Sequence, residues 1–507
     1  MASYAKKFLF KSLLVYAFLF LLCSHSPNLF SQNYTIDSFK ELDRWYQVSL
    51  GNSKVGYAHS VMRMKDNKVY SESVFNLAIK RVGIPVKISS IEKTVESIDG
   101  KILTFSGELK MAGVPVIKNG RVEGDEIIVL EKQFFREHTK RYKLDPDGLM
   151  TWGFLKFLRE KNFMVAGNEI ETKIYSADFG MEAPTNAKIK ALGPSTIQIS
   201  GKPRQVFTTE ISLSTDNGKV STMNWLDENG FAVQTTMQVG GLAIELKQCS
   251  MVEATKSSDS TEFLLNTLVF LDKEIPISAK TVQFKINTLN GTTIHDLYES
   301  RNQVVTRLNN SSYLVEVSSD NWKKQGTAKR IIPNIKFTTP STMVDSDDPV
   351  IRSLAKKAGA GSKNIFDLSQ KLFQFSHYFI TKKNFHIGFA TATEVARTRE
   401  GDCTEHAVFL AALGRSMGIP TRVSSGLVFM KNFQDKKNVL GFHMWTEFLL
   451  KGKWVPLDSA LNKLGAQPDR ITLGVSSFDE NSITDVGVGI AEMVGNLRVK
   501  IEKIEFK

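Results

Sequence analysis

Arg399-Glu-Gly-Asp-Cys-Thr-Glu-His-Ala407, with the apolar run that follows it to Pro420, decides the reading of this chain. The stretch reads as a loop that delivers Cys403 to the start of a helix. Gly401 allows a turn that a residue with a Cβ would resist. Asp402 and Thr404 are the residue types that cap a helix or open its first turn. Ala407, Val408, Leu410, Ala411, Leu413 and Met417 recur at helical spacing, and Gly418 and Pro420 are stop signals. A cysteine in that position has its thiolate favoured by the N–H groups and dipole of the helix start. Such a nucleophile needs a base, and the base needs a third group to fix its tautomer.

Two later segments supply both. Gly441-Phe-His-Met-Trp-Thr-Glu-Phe-Leu-Leu450 alternates like a strand, with His443, Trp445 and Glu447 on one face and Met444, Thr446 and Phe448 on the other. A Gly-Lys turn follows, and Trp454-Val-Pro-Leu-Asp458 reads as the paired strand of a hairpin. His406 competes with His443 as base, but a ring on the cysteine's own helix has little freedom to swing between thiol and leaving group. His443, beside a hairpin partner that carries an acid, has the better geometry. Asp458 is then expected to be ionised and bonded to the ring nitrogen that does not face sulfur. The blander assignments are a buried thiol for Cys403 and a loop cap for Asp458. For Glu405 and Glu447 they are ion pairs with Arg399, Arg415 or Arg422.

At these residues the chain resembles the transglutaminase-like superfamily of cysteine enzymes. Four blocks carry the resemblance in order: Arg399-x-Gly-Asp-Cys-x-Glu-x-Ala407, Arg415-x-x-Gly-Ile-Pro-x-Arg422, His443-x-Trp-x-Glu447 and Trp454-x-x-x-Asp458. It covers roughly 345–470. The resemblance implies a papain-like α+β core, with Cys403 as nucleophile, His443 as base and Asp458 as orienter. It implies acyl transfer on a carboxamide or peptide bond through a thioester. Hydrolysis, as in a peptidase or amidase, is expected ahead of amine cross-linking. Acyl transfer needs an oxyanion hole. The Cys403 N–H is one donor, and a second is expected around Tyr378 or from Phe385 to Phe389. No calcium-loop pattern is present, and no metal or cofactor is expected.

The rest of the chain bounds this reading. Its 507 residues suit roughly two to four domains. The formal charge of +12 is spread thinly, without basic patches interleaved with aromatics, which argues against nucleic acid as a partner. Lys6, Lys7 and Lys11, the apolar run from Ser12 to Cys23 and the polar exit to Ser31 read as a signal peptide over 1–31. Cleaved export and a retained membrane anchor are both open. No other stretch is a candidate span, so a periplasmic or cell-envelope location is expected, with a protein or peptide substrate there. Of the three cysteines, Cys23 would leave with the signal and Cys249 reads as a core residue.

Residues 32–255 read as β-rich, an antiparallel sheet, sandwich or open barrel interrupted by a short helix from Leu149 to Lys161. A polar linker at 256–261 leads to a small β-sandwich-like domain over 262–340. The catalytic domain is expected over 345–507. An alternative of another class is a cell-envelope binding or assembly protein, in which the β regions hold a partner and the core is vestigial.

Overall fold

The computed structural model describes residues 41–506 apart from 82–83, 112–113, 134–135, 178–179, 200, 216–217, 240–241, 258–260, 263–266, 290–296, 323–333, 342, 384–389 and 479–494. The proposed signal peptide lies outside the described residues. The chain gathers into two compact units, divided between Glu262 and Phe263.

The first unit is one continuous sheet. Eight strands from Glu41–Leu50 to Arg136–Lys143 pair antiparallel in sequence order, each with the next. A second meander of six runs from Glu169–Ser176 to Leu242–Cys249. Its last strand pairs with the first strand of the chain, Trp45 opposite Cys249 and Leu50 opposite Ile244. Alternation within each strand made these elements readable; the junction joins residues about two hundred apart, for which no local signal exists. The helix Thr151–Glu160 links the two meanders. Its buried Met150, Phe154 and Leu158 flank join Phe105, Ile127, Tyr175, Ile189 and Phe207 in the main core. Glu96 caps this helix from the sheet, accepting the Trp152 and Gly153 N–H groups at 2.7 and 2.8 Å. Gly153 meets Gly100 there, where a side chain on either would collide with the other's backbone.

The second unit runs across the division expected at 340. Strands Ala279–Thr288, Gln303–Asn309 and Ser312–Ser318 form one four-stranded sheet, and its fourth strand is Leu497–Phe506 from the far end of the chain. Among the described residues no second sheet faces it as a sandwich partner within 262–340. Instead Val269–Phe270 pairs with the His443 strand, so both expected domains belong to one unit. The reason is sequence distance. Leu497, Val499 and Ile501 alternate inward and can be buried only against a strand that a local reading assigns elsewhere.

Helices Pro349–Ala358, Ile365–Phe379 and Ala392–Thr398 surround the helix Cys403–Ser416. Each starts on a capping side chain: Asp348, Asn364, Thr391 and Asp402 accept N–H bonds from their own first turns. The Cys403 helix is buried all round from Thr404 to Arg415, as a central helix must be. Its sheet side packs on Lys436–Leu450. There Thr446 Oγ1 donates to the Ala407 carbonyl at 2.9 Å, and Gly414 leaves room for the Phe448 ring. The hairpin to Lys453–Asp458 turns at Lys451 and Gly452, both left-handed (φ 48° and 77°), one residue earlier than the expected Gly-Lys turn. Two positive φ values match the right-handed twist of the flanking strands.

Candidate active site

The site is assembled at the start of the Cys403 helix. Asp402 and Glu405 form a capping box: Asp402 accepts the Thr404 N–H at 3.0 Å, and Glu405 accepts the Asp402 N–H at 2.9 Å. Gly401 serves this box by space rather than by a special backbone angle, since a Cβ there would lie 2.2 Å from the Glu405 Cβ. The left-handed residue of the loop is Arg399, φ 56°, which ends the preceding helix.

His443 lies on Lys436–Leu450 between Leu440, which pairs with Val269, and Thr446, which pairs with Leu457. Among the described residues no strand pairs that edge between them. The His443 Nε2–H donates to Asp458 Oδ2 at 2.8 Å. With Nε2 committed, the hydrogen bond between His443 and Cys403 falls to Nδ1. On the other edge, Gly426 lies opposite His443, and a Cβ there would come within 2.0 Å of the Ile471 carbonyl oxygen.

The electrostatics follow from this geometry. Burial opposes a charge on His443, but the Asp458 carboxylate and the Cys403 sulfur overcome it and push the imidazole up to about 9. Burial likewise opposes ionisation of Asp458, and His443 and Arg470 hold it well below the usual carboxylate range. Burial and the Asp402 carboxylate oppose a thiolate at Cys403, while the hydrogen bond and charge of His443 favour it. The three groups therefore support a thiolate beside an imidazolium. The Cys249 thiol is pushed up by burial. Among the described residues neither cysteine is in a disulfide.

Residues 351–459 match the family model of the transglutaminase-like superfamily. This segment is a transglutaminase-like core. Three solved structures align loosely with larger parts of the chain. One is a Cytophaga hutchinsonii protein provisionally named a cysteine protease, at 14% identity and TM-score 0.30, covering 45% of this chain and 90% of that one. Another is a β-barrel-like protein of a domain of unknown function from Brucella abortus, at 13% and 0.33, covering 41% and 95%. The third is the periplasmic domain of TgpA from Pseudomonas aeruginosa bound to ethylmercury, at 16% and 0.26, covering 38% and 74%. No curated protein matches the chain in sequence.

Within the transglutaminase-like core the remaining block residues are structural. Arg415 is buried and donates to the backbone carbonyls of Thr421, Ser477 and Thr339, tying the helix end to its surroundings. Arg422 donates twice to Glu447 Oε2, at 2.5 and 2.8 Å, and stacks over Trp454 at 4.2 Å. Glu447 thus finds the ion pair the sequence allowed, whereas Glu405 instead joins the capping box. Burial and Asp402 push the Glu405 carboxyl up to about 8. Trp445 and Trp454 line a cavity of about 190 Å³ with Tyr298, Gln303, Arg422 and Arg470, and neither Cys403 nor His443 is on its wall.

His406 is engaged elsewhere. It is buried, its Nδ1 lies 3.3 Å from Ser459 Oγ, and burial with nearby Lys383 drops it to about 4. Ser459 also accepts at its carbonyl from His377 Nδ1 at 2.7 Å. These residues brace the turn after Asp458; Ser459 was not singled out by the sequence, nor was Arg470, which donates to Asp458 Oδ2 at 3.1 Å. Tyr378, a candidate second oxyanion donor, is 72% exposed at the end of its helix. Phe385–Phe389 lie outside the described residues. Among the described residues no helix is long and apolar enough to cross a membrane, and no group of three His, Cys, Asp or Glu is placed to hold a metal.

Proposed function

We propose that this protein is an exported cysteine acyl-transfer enzyme with a papain-like core, acting on carboxamide or peptide bonds of envelope proteins or peptides. One observation carries the proposal: a single buried imidazole is bonded on one side to the cysteine at a helix start and on the other to a buried, ionised carboxylate. That is the arrangement a thiol nucleophile requires. Export rests on the signal-like first 31 residues.

The Cys403 thiolate attacks the carbonyl carbon, and the oxyanion is held at the helix start, with the Cys403 N–H as one donor. Collapse breaks the C–N bond as the His443 imidazolium gives its proton to the leaving amine, leaving a thioester. Water then attacks the thioester and passes a proton to His443. Expulsion of the thiolate restores the ion pair. Asp458 keeps the ring in one orientation throughout. Hydrolysis is favoured over amine transfer on family grounds alone.

The test is thiol-probe labelling of the intact protein across pH, read by peptide mass spectrometry, for wild type, His443→Ala and Asp458→Ala. Cys403 is expected to label well below the ~8.5 of a free thiol, far faster than Cys249, and to lose that advantage in both variants. A Cys403 that labels no faster than Cys249 sinks the enzyme and leaves the binding protein. If labelling succeeds, a covalent mass increase on Cys403 with activated amides or esters, decaying in water, identifies the hydrolytic route.

A further inference from the structure

Arg470 stands in an unusual position. Its side chain is 4% exposed, yet it carries a permanent charge. Burying a guanidinium is costly unless its surroundings compensate. One compensation is local: Nε donates to the neighbouring Asp469 at 3.1 Å. That carboxylate lies nearer the surface and would not by itself draw the arginine inward. The second partner is the buried one. Nη1 donates to Asp458 Oδ2, the oxygen that also accepts the His443 Nε2–H. The other oxygen, Oδ1, accepts the Leu461 N–H at 3.1 Å, so the carboxylate is held from three directions. The guanidinium also lies over the Trp445 ring, 5.3 Å from its centroid, and that ring stacks beside His443.

The backbone makes this placement precise. Arg470 opens the strand Arg470–Ser476, where it pairs with Val428. One residue on, the Ile471 carbonyl closes against Gly426, the residue opposite His443. The register that seats Arg470 is therefore fixed by the same strand that flanks His443.

We infer that Arg470 is a positioning residue of the site, one that shares the Asp458 oxygen with His443 and balances its charge so that the imidazolium can surrender its proton. The inference rests on the Cys403–His443–Asp458 reading above and adds a fourth member to it. With Arg470 present, thiolate, imidazolium, carboxylate and guanidinium sum to zero in a buried space. Without it, the carboxylate faces the imidazolium uncompensated and binds its proton too tightly for a general acid. The other groups facing the pair are Cys403, Asp402, Glu405 and His406 on the helix and Asp469 beside Arg470; Lys383 and His377 face His406.

Loss of one buried positive charge must raise every proton affinity in a coupled set. This gives a readout that packing alone would not move. The labelling rate of Cys403 over about pH 4 to 11 has two inflections, the first where the ion pair forms and the second where the imidazolium loses its proton. In Arg470→Gln both are expected to move up by about one pH unit. In Arg470→Lys, which keeps the charge and loses the fork, both stay within a few tenths of wild type. In Asp469→Asn, which removes the negative charge on the far side of Arg470, both move down by a few tenths.

Opposite shifts in Arg470→Gln and Asp469→Asn, with Arg470→Lys near wild type, establish the role. Unmoved inflections in a folded Arg470→Gln protein overturn it, even where thermal stability falls. If Arg470→Gln does not fold, the Asp469→Asn and Arg470→Lys profiles decide, and an unmoved or upward Asp469→Asn profile overturns it. The wild-type curve keeps the two ideas apart. An ordinary thiol profile there refutes the nucleophile itself, whereas a low first inflection with unmoved variants refutes only Arg470.

Discussion

The Arg422–Glu447 pair offers a test of the core that needs no substrate. Its side chains are 8% and 7% exposed, and two donors of Arg422 converge on one Glu447 oxygen. Arg422→Met leaves that carboxylate buried without its partner, at about 3–5 kcal/mol. It also removes the guanidinium from over Trp454 and Tyr298, worth roughly 0.5–1 kcal/mol each. A total of about 4–7 kcal/mol follows. Glu447→Leu strands the guanidinium, which keeps the Tyr298 hydroxyl as an acceptor at 2.6 Å, so its cost is expected near the bottom of the same range. The double variant Arg422→Met/Glu447→Leu removes both charges and fills the space with apolar groups. Its cost is expected below that of either single change, a coupling of about 3 kcal/mol or more. Because the chain has two units, a global melt would blend them. Hydrogen exchange of peptides from 421–433 and 436–450 reads the opening energy of this sheet alone. Additive single effects, or singles that cost less than about 1 kcal/mol, would refute the reasoning, since an exposed pair behaves that way.

Glu405→Gln tests the buried capping box through pH. The folded-state carboxyl is raised to about 8, so the folded protein binds a proton that the unfolded chain has released above its ordinary value near 4.5. This stabilisation is complete below the unfolded value and fades as pH rises through about 8. Glu405→Gln is therefore expected to flatten the loss of stability between those limits and to compare best with wild type at the alkaline end; a slope identical to wild type would refute it. Gly426→Ala places a methyl 2.0 Å from the Ile471 carbonyl oxygen and 2.9 Å from the Trp445 ring. The strand at 470–476 must shift, at about 1–3 kcal/mol, and the Cys403 labelling advantage should fall with it. Wild-type labelling in a folded Gly426→Ala protein would show that the site tolerates a register disturbance.

What could be read in advance was local. The Cys403 helix announced itself through its cap, its apolar spacing and its stop, and the structure starts it at Cys403 with Asp402 as the cap. His443 and Asp458 were brought together because a hairpin joins them within a few residues. The helix expected from Leu149 to Lys161 spans Thr151–Glu160. What escaped was set by partners far along the chain. Nothing around Arg470 marks it as a neighbour of Asp458, since the contact depends on how Arg470–Ser476 registers against Thr421–Phe433. Gly426 looked like any strand glycine until the Ile471 carbonyl stood against it. The four-stranded sheet hid for the same reason, its edge strand lying at the opposite end of its unit in sequence.

That edge strand imposes a schedule on the ribosome. Ala279–Thr288 is made about two hundred residues before Leu497–Phe506, its antiparallel partner. At about 5–20 residues per second, the earlier strand waits roughly 10–40 s with one row of backbone donors and acceptors unmatched. During that interval Val282, Phe284 and Ile286, all fully buried at the end, belong to a sheet that cannot yet close. A nascent chain in this condition is a natural client for holding chaperones, and a fragment begun near residue 345 would face the converse problem, carrying Leu497–Phe506 with nothing to zip onto.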